Sequence, residues 1–252
     1  MTRTVLAFVE DGPTAAPVIA MAKVLGFILS GDVEAVHVGD DLGASTVEEA
    51  SSAGVPVRIE SGDPLERIVA EVSSSAVVAG VVGARGERAG PRPVGGTALE
   101  MITRADKLVA VVPPQAVVST PNEVDRILMP LDGTASSAKA IRVLGETCAR
   151  HGIEIVVLHV FDSSTAPPFW DQPFHDAEAF ASEFLARFMA QPEAKMTLRA
   201  GTAREGVIDA ATRESADLIA LGWSQHLDPG RAEVVRHVLS EASVPVLLVP
   251  TE

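Results

Sequence analysis

Two hydrophobic periods alternate along this chain. Val5-Leu-Ala-Phe-Val9 is a short apolar run closed by Glu10-Asp11-Gly12, the length and boundary of a buried strand. A helix is predicted from about Thr14, with Pro17 in its first turn, where a missing N–H is harmless. Val18, Ile19, Met21, Val24 and Leu25 make it apolar nearly all round, which predicts burial. Val33–Val38 and Val55–Ile59 read as the next strands, with a short helix near residues 45–53 between them. Leu65, Ile68, Val69 and Val72 fall at i, i+3, i+4 and i+7, one face of a third helix. Val77–Val82 has the β-branched content of a buried parallel strand. A helix from Thr97 and a strand over Leu108–Val112 complete the unit.

Residues 113–122, with prolines at 113, 114 and 121, lose all periodicity and read as a linker. The pattern then restarts. Arg126-Ile-Leu-Met-Pro-Leu131-Asp132-Gly133-Thr134 follows the course of Thr4 to Asp11, and His159-Val160 ends a second strand as His37-Val38 does. Glu10 with Asp132 and His37 with His159 share an offset of 122, whereas Gly62 with Gly201 and Gly83 with Gly222 share one of 139. An internal duplication accounts for both values, with an insertion between the second and third strands of the second half. That insertion carries Pro167, Pro168, Phe169, Trp170 and Phe174, a lid or partner surface, or a cover for the sheet edge. Phe180, Phe184 and Phe188, at i, i+4 and i+8 on the following helix, have ordinary core spacing. Five strands alternating with four helices per half predict an α/β fold of two parallel sheets, residues 1–113 and 124–252. A five-plus-five repeat counts against a single eight-stranded barrel.

The candidate chemistry sits just past the carboxyl end of the fourth strand, where open α/β sheets bind ligands. Gly83 and Gly86 are followed, after nine residues, by Gly96-Thr97 at a helix start. Gly86 and Gly96 lack a Cβ, so backbone N–H groups can close on phosphate oxygens, and Thr97 adds a hydroxyl at a helix N-terminus that favours anions. On loop chemistry alone the stretch is also compatible with a long surface turn. Arg85, Arg88 and Arg92 bring three guanidinium groups to it, either as phosphate clamps or as partners of surface carboxylates.

GxxG, nine residues, then Gly-Thr resembles the nucleotide-binding motif of universal stress proteins. With the acid after the first strand, His-Val ending the second, the glycine opening the third helix and the proline after the last strand, the resemblance to the tandem form spans essentially the whole chain. It implies two Rossmann-like five-stranded domains, of the adenine nucleotide alpha-hydrolase-like kind, paired through their last strands as an intrachain pseudo-dimer. It also implies ATP or a related adenine nucleotide in the first half, the phosphates or ribose held by Gly83, Gly86, Gly96 and Thr97 and the adenosine by Glu10 and the main chain at Val38. The family usually has Asp where this chain has Glu10, so the carboxylate is reached through one more methylene, or Asp11 takes its place. In the second half Asp132 is kept, but Gln225 replaces the second glycine and Val235-Arg236 replace Gly-Thr, which predicts a site closed to phosphate with Trp223 filling the vacated space.

Charge and composition narrow the function further. A net charge of −14 over 252 residues argues against nucleic acid or an anionic membrane as the main partner, while a small phosphorylated ligand can still bind locally. The first apolar run is broken by acids too early for a signal peptide, and no stretch approaches the ~18 apolar residues of a membrane span, so a cytoplasmic protein is expected. Cys148 is the only cysteine, which excludes an intrachain disulfide and reads as a small buried helix residue. His37 and His159 read as satisfied core histidines, and the other histidines make no metal-ligand spacing. Neither GxxxxGK[ST] nor GxSxG occurs, so no catalytic residues are assigned. The expected function is a nucleotide-binding regulator, with a protein partner and a second copy of the chain as candidate associates. The alternative is an interaction scaffold whose nucleotide site is vestigial.

Overall fold

The computed structural model describes residues 3–84, 94–118, 120, 123–161, 175–189, 191, 193–226 and 232–251. Gly86, the arginines at 85, 88 and 92, and most of the aromatic insertion lie outside the described residues. The first half runs β1 (Thr4–Phe8), α1 (Ala15–Leu29), β2 (Asp32–Val38), α2 (Ala44–Ser52), β3 (Val57–Glu60), α3 (Pro64–Val72), β4 (Val77–Gly83), α4 (Gly96–Arg104) and β5 (Leu108–Val112). The second runs β6 (Arg126–Pro130), α5 (Ala135–Arg150), β7 (Glu154–Phe161), α6 (His175–Phe188), β8 (Lys195–Ala200), α7 (Ala203–Arg213), β9 (Leu218–Trp223), α8 (Glu233–Glu241) and β10 (Val246–Pro250).

All ten strands form one sheet in the order β3-β2-β1-β4-β5-β10-β9-β6-β7-β8. Every neighbouring pair is parallel except β5 and β10, which run antiparallel with Val111 opposite Val246 and Val109 opposite Leu248. The sheet is therefore two five-stranded parallel sheets of the same strand order, joined through their last strands. A closed barrel is excluded, because β3 and β8 stand at opposite ends of the strand order and do not pair with each other.

The period of two along each strand sends alternate residues to opposite faces. Val5, Ala7 and Val9 of the first half and Ile127, Met129 and Leu131 of the second enter one apolar cluster, covered by α1, α5 and α6. Leu6, Phe8 and Leu128 enter the other, covered by α3, α4, α7 and α8. Both clusters run without a break across the two halves. With each fully buried aliphatic side chain contributing about 1.5–3 kcal/mol, these two layers are the main source of stability.

Local signals set the element ends. Asp63 accepts hydrogen bonds from the N–H groups of Leu65 and Glu66 and caps α3, whose first residue is Pro64. Ser30, left-handed at φ 53°, closes α1. The third strand starts at Val57 and not at Val55 as the sequence pattern suggests, because the Val55 N–H is spent on Ala50 O behind α2 and Pro56 has no N–H. His37 donates from Nδ1 to Val9 O at 2.9 Å, and His159 donates to Leu131 O at 2.8 Å. These twin contacts tie the end of each half's second strand to the end of its first and make both histidines structural at that nitrogen.

The halves also clasp each other beside the seam. Trp223, 3% exposed, donates from Nε1 to Ile102 O at 2.9 Å, and the Gln225 amide reaches Ala105 O. Both acceptors lie in the last turn of α4 or just beyond it, where carbonyls lack helical partners. Gln115 returns the contact to Ala242 O behind α8 at 3.2 Å. Trp223 therefore does not fill its own half's cavity, as its sequence position suggests; it points across to the first half, and it is absent from the residues lining the second half's cleft. Trp223→Phe keeps an aromatic ring but removes the donor and part of the buried indole, and is expected to lower unfolding free energy by at least about 1–2 kcal/mol. Urea denaturation measures this, and an unchanged midpoint would contradict the clasp.

Candidate functional site

Strand order places the switch point of the first half between β1 and β4, where chain connections leave for opposite faces and a crevice opens at the carboxyl ends. A cavity of about 330 Å³ lies there. Glu10 enters it from the end of β1, Val38 from the end of β2, Gly83 from the end of β4, and Gly95, Gly96 and Thr97 from the start of α4. Apolar walls come from Phe8, Leu65 and Ile68. The cavity thus gathers five of the predicted positions; the sixth, Gly86, lies outside the described residues.

The start of α4 supplies the polarity. Gly95 stands at the N-cap in an extended conformation, and no side chain caps the helix. The first-turn N–H groups face the cavity side of the helix end, where the partial positive charge of the dipole favours an anion. A Cβ built on Gly96 meets nothing within 4 Å among the described residues, so the packing of the described core does not require a glycine there.

Asp11 is occupied elsewhere. Its Oδ1 accepts from Gly43 N at 2.7 Å and Thr46 Oγ1 at 3.1 Å, capping α2 from across the β1 loop. Glu10, not Asp11, is the acid at the first cavity.

At the equivalent place in the second half the described residues line a larger cavity of about 710 Å³. Asp132 and Ser137 stand at one end, Gly222 at the end of β9, and Val234 and Val235 at the start of α8. Asp132 Oδ1 accepts from Thr134 N at 2.9 Å, Thr134 Oγ1 at 2.8 Å and Ser137 Oγ. Burial opposes the charge, and the Ser137 and Thr134 donors outweigh it, so the carboxyl lies below the usual carboxylate range. Phe161, Phe180, Phe184 and Phe188 line the opposite side. The sequence pattern marks the last three as core spacing. Phe184 is buried, but the row also forms a cavity wall, a role its periodicity did not reveal.

The altered loop explains the loss of the phosphate cradle here. Gln225 holds a left-handed φ of 64°, the conformation a glycine adopts at no cost, and directs its amide to the first half. No group of His, Cys, Asp and Glu suited to a metal occurs among the described residues. Cys148 is fully buried, and burial pushes its thiol up to about 12, so it has no nucleophilic role.

An open α/β sheet duplicated in one chain, with a glycine-lined crevice at its switch point, defines a Rossmann-like class of fold. A model of the universal stress protein family matches residues 123–250. The chain belongs to that family. It is similar to a universal stress protein of Thermus aquaticus from the 3′ region of a QAH/OAS sulfhydrylase, 28% identical over 135 residues that cover 49% of this chain and 96% of the relative. Among solved structures, a candidate universal stress protein of Pseudomonas aeruginosa superposes with TM-score 0.70 at 13% identity, covering 99% of this chain and 94% of its own. One from Archaeoglobus fulgidus gives TM-score 0.66 at 14% identity, covering 98% and 96%. At these identities the structural likeness establishes the fold. The family model matches the half whose cradle has diverged, while the intact motif lies in the other. Among the described residues no helix is long and apolar enough to cross a membrane.

The electrostatics of the second cavity are directly testable. Ser137→Ala removes a donor to the Asp132 carboxylate, so its pKa is expected to rise. Because the wild-type value is depressed, the carboxylate's contribution to stability is present above the unfolded-state pKa and is lost as pH falls through the folded-state value. NMR titration of the Asp132 side-chain carbon reads the shift, and an unmoved or lowered pKa would refute the assigned cause.

Proposed function

We propose that the first half binds ATP or a related adenine nucleotide in the cavity between β1, β2, β4 and α4, as a regulatory ligand and not as a substrate for rapid turnover. The observation that carries this reading is the convergence of Glu10, Val38, Gly83, Gly96 and Thr97, distant in sequence, on one crevice at a switch point. Family membership supports the ligand class. In this reading the first turn of α4 and the Thr97 hydroxyl receive phosphate oxygens, together with Gly86 from the intervening loop. Glu10 faces the ribose hydroxyls, and the main chain at Val38 faces the base. The division into a first domain over residues 1–113 and a second over 124–252 belongs to the same proposal, as does a cytoplasmic site of action.

Regulation without rapid turnover is part of the same proposal. Its described lining holds one acid, Glu10, and no lysine, histidine or cysteine to act on a phosphoryl group. Binding energy at such a site is available for shifting the conformation of α4, whose far end is held by Trp223 and Gln225 of the other half.

Calorimetric titration with ATP tests the site. One nucleotide per chain is expected, and Gly96→Val should weaken binding at least tenfold while leaving the melting temperature of the unliganded protein near wild type, since the new side chain meets no described residue. Undiminished affinity in Gly96→Val would overturn the assignment, and absence of ATP binding to the wild-type protein would return the scaffold reading. Steady phosphate release at or above ~1 per second would return the enzyme reading.

A further inference from the structure

The second cavity is more than twice the volume of the first, and its chemistry differs. We propose that it is a binding site of its own, for a small non-phosphorylated aromatic molecule that presents a hydroxyl or amine donor to Asp132. This inference does not rest on the nucleotide assignment in the first half.

Three features set the ligand class. The first is a wall of rings. Phe180 and Phe184 lie 5.8 Å apart between centroids, Phe184 and Phe188 4.6 Å, and His159 meets Phe161 edge-on at 4.6 Å and Phe184 at 4.8 Å. Rings in direct tilted contact form a continuous aromatic surface, against which a ligand ring can pack by edge or face. His159 is oriented by its bond to Leu131 O, so its ring is a fixed part of that wall.

The second feature is a carboxylate that wants a donor. The hydrogen bonds from Thr134 and Ser137 to Asp132 all go to Oδ1, and the carboxylate lines the cavity, where a donor on the ligand can add to them. The acid stays ionised at neutral pH. A donor group on the ligand would complete its hydrogen bonding at a charged acceptor, where such bonds are strong.

The third is exclusion of phosphate. Where α4 offers Gly96 and Thr97, α8 offers Val234 and Val235 to the cavity and places Glu233 in its first turn. The acid cancels the attraction of the helix end for anions. Glu183 adds a second negative charge to the lining, and Arg187 has its guanidinium 5.2 Å from the Phe188 ring centre. A neutral or cationic ring-bearing molecule fits this balance, and a nucleoside polyphosphate does not.

Tyramine, which has a ring, a hydroxyl and an ammonium, is a suitable probe with the full-length protein. Saturation-transfer NMR and calorimetry should show one saturable site per chain. Asp132→Asn, which preserves shape and can still accept at Oδ1, should weaken binding at least tenfold, and Phe180→Ala several-fold, with circular dichroism confirming the fold of both. Gly96→Val and saturating ATP should leave tyramine binding unchanged. No saturable tyramine binding, binding indifferent to Asp132→Asn, or displacement by ATP that survives Gly96→Val would each overturn the proposal.

Discussion

The antiparallel pairing of β5 with β10 is the constraint on which the rest of the molecule depends. Val109, Ala110 and Val111 on one side and Val246, Leu247 and Leu248 on the other are each at most 2% exposed. Apart, either strand would present a long apolar edge with unpaired backbone groups, a template for aggregation. Together they continue one sheet through both halves and fuse the apolar layers above and below it. Because the join is antiparallel, the two halves are related by an approximate two-fold, and Gln225, just past β9, is carried close to the end of α4.

That placement gave the second half's loop a different use. A glycine loop that approaches phosphate must stay lean in side chains; a loop that grips a neighbouring helix needs them. Trp223 and Gln225 supply donors to the carbonyls at the end of α4, and Gln225 retains the left-handed backbone at its own position. The half that lost the cradle thus gained a hold on the helix whose opposite end lines the first cavity. For a nucleotide bound as proposed at one end of α4, this nine-residue helix would be a short physical path to the other half. The pair of cavities then divides the labour: one keeps a helix end and lean glycines, and the other keeps an acid and acquires aromatic walls.

Much of the fold was legible in the sequence because strand length, apolar continuity and the repeat all pointed the same way. The fifth strand, Leu108–Val112, needed no tertiary information, and the offset of 122 between His37 and His159 proved to mark equivalent bonds to Val9 O and Leu131 O. The start of β3 was misjudged, since the competition for the Val55 N–H between α2 and the strand is decided by Pro56. At the site, convergence of Glu10, Val38 and the glycines followed from topology. The direction of Trp223 did not, because no local pattern records which side chain crosses a seam 120 residues wide in sequence. Nor could the periodicity of Phe180, Phe184 and Phe188 separate a core face from a cavity wall; both need the same spacing, and only the room left beside Asp132 tells them apart.

Duplication has left two cavities of different chemistry, and the proposed nucleotide is reserved for the first. A crystal structure of the protein grown with excess non-hydrolysable ATP analogue tests this most directly. Density is expected between Glu10, Val38, Gly83 and Thr97, with its phosphates at the start of α4, and none beside Asp132. A nucleotide lying against Asp132 and Phe184, in place of or in addition to the first cavity, would contradict it.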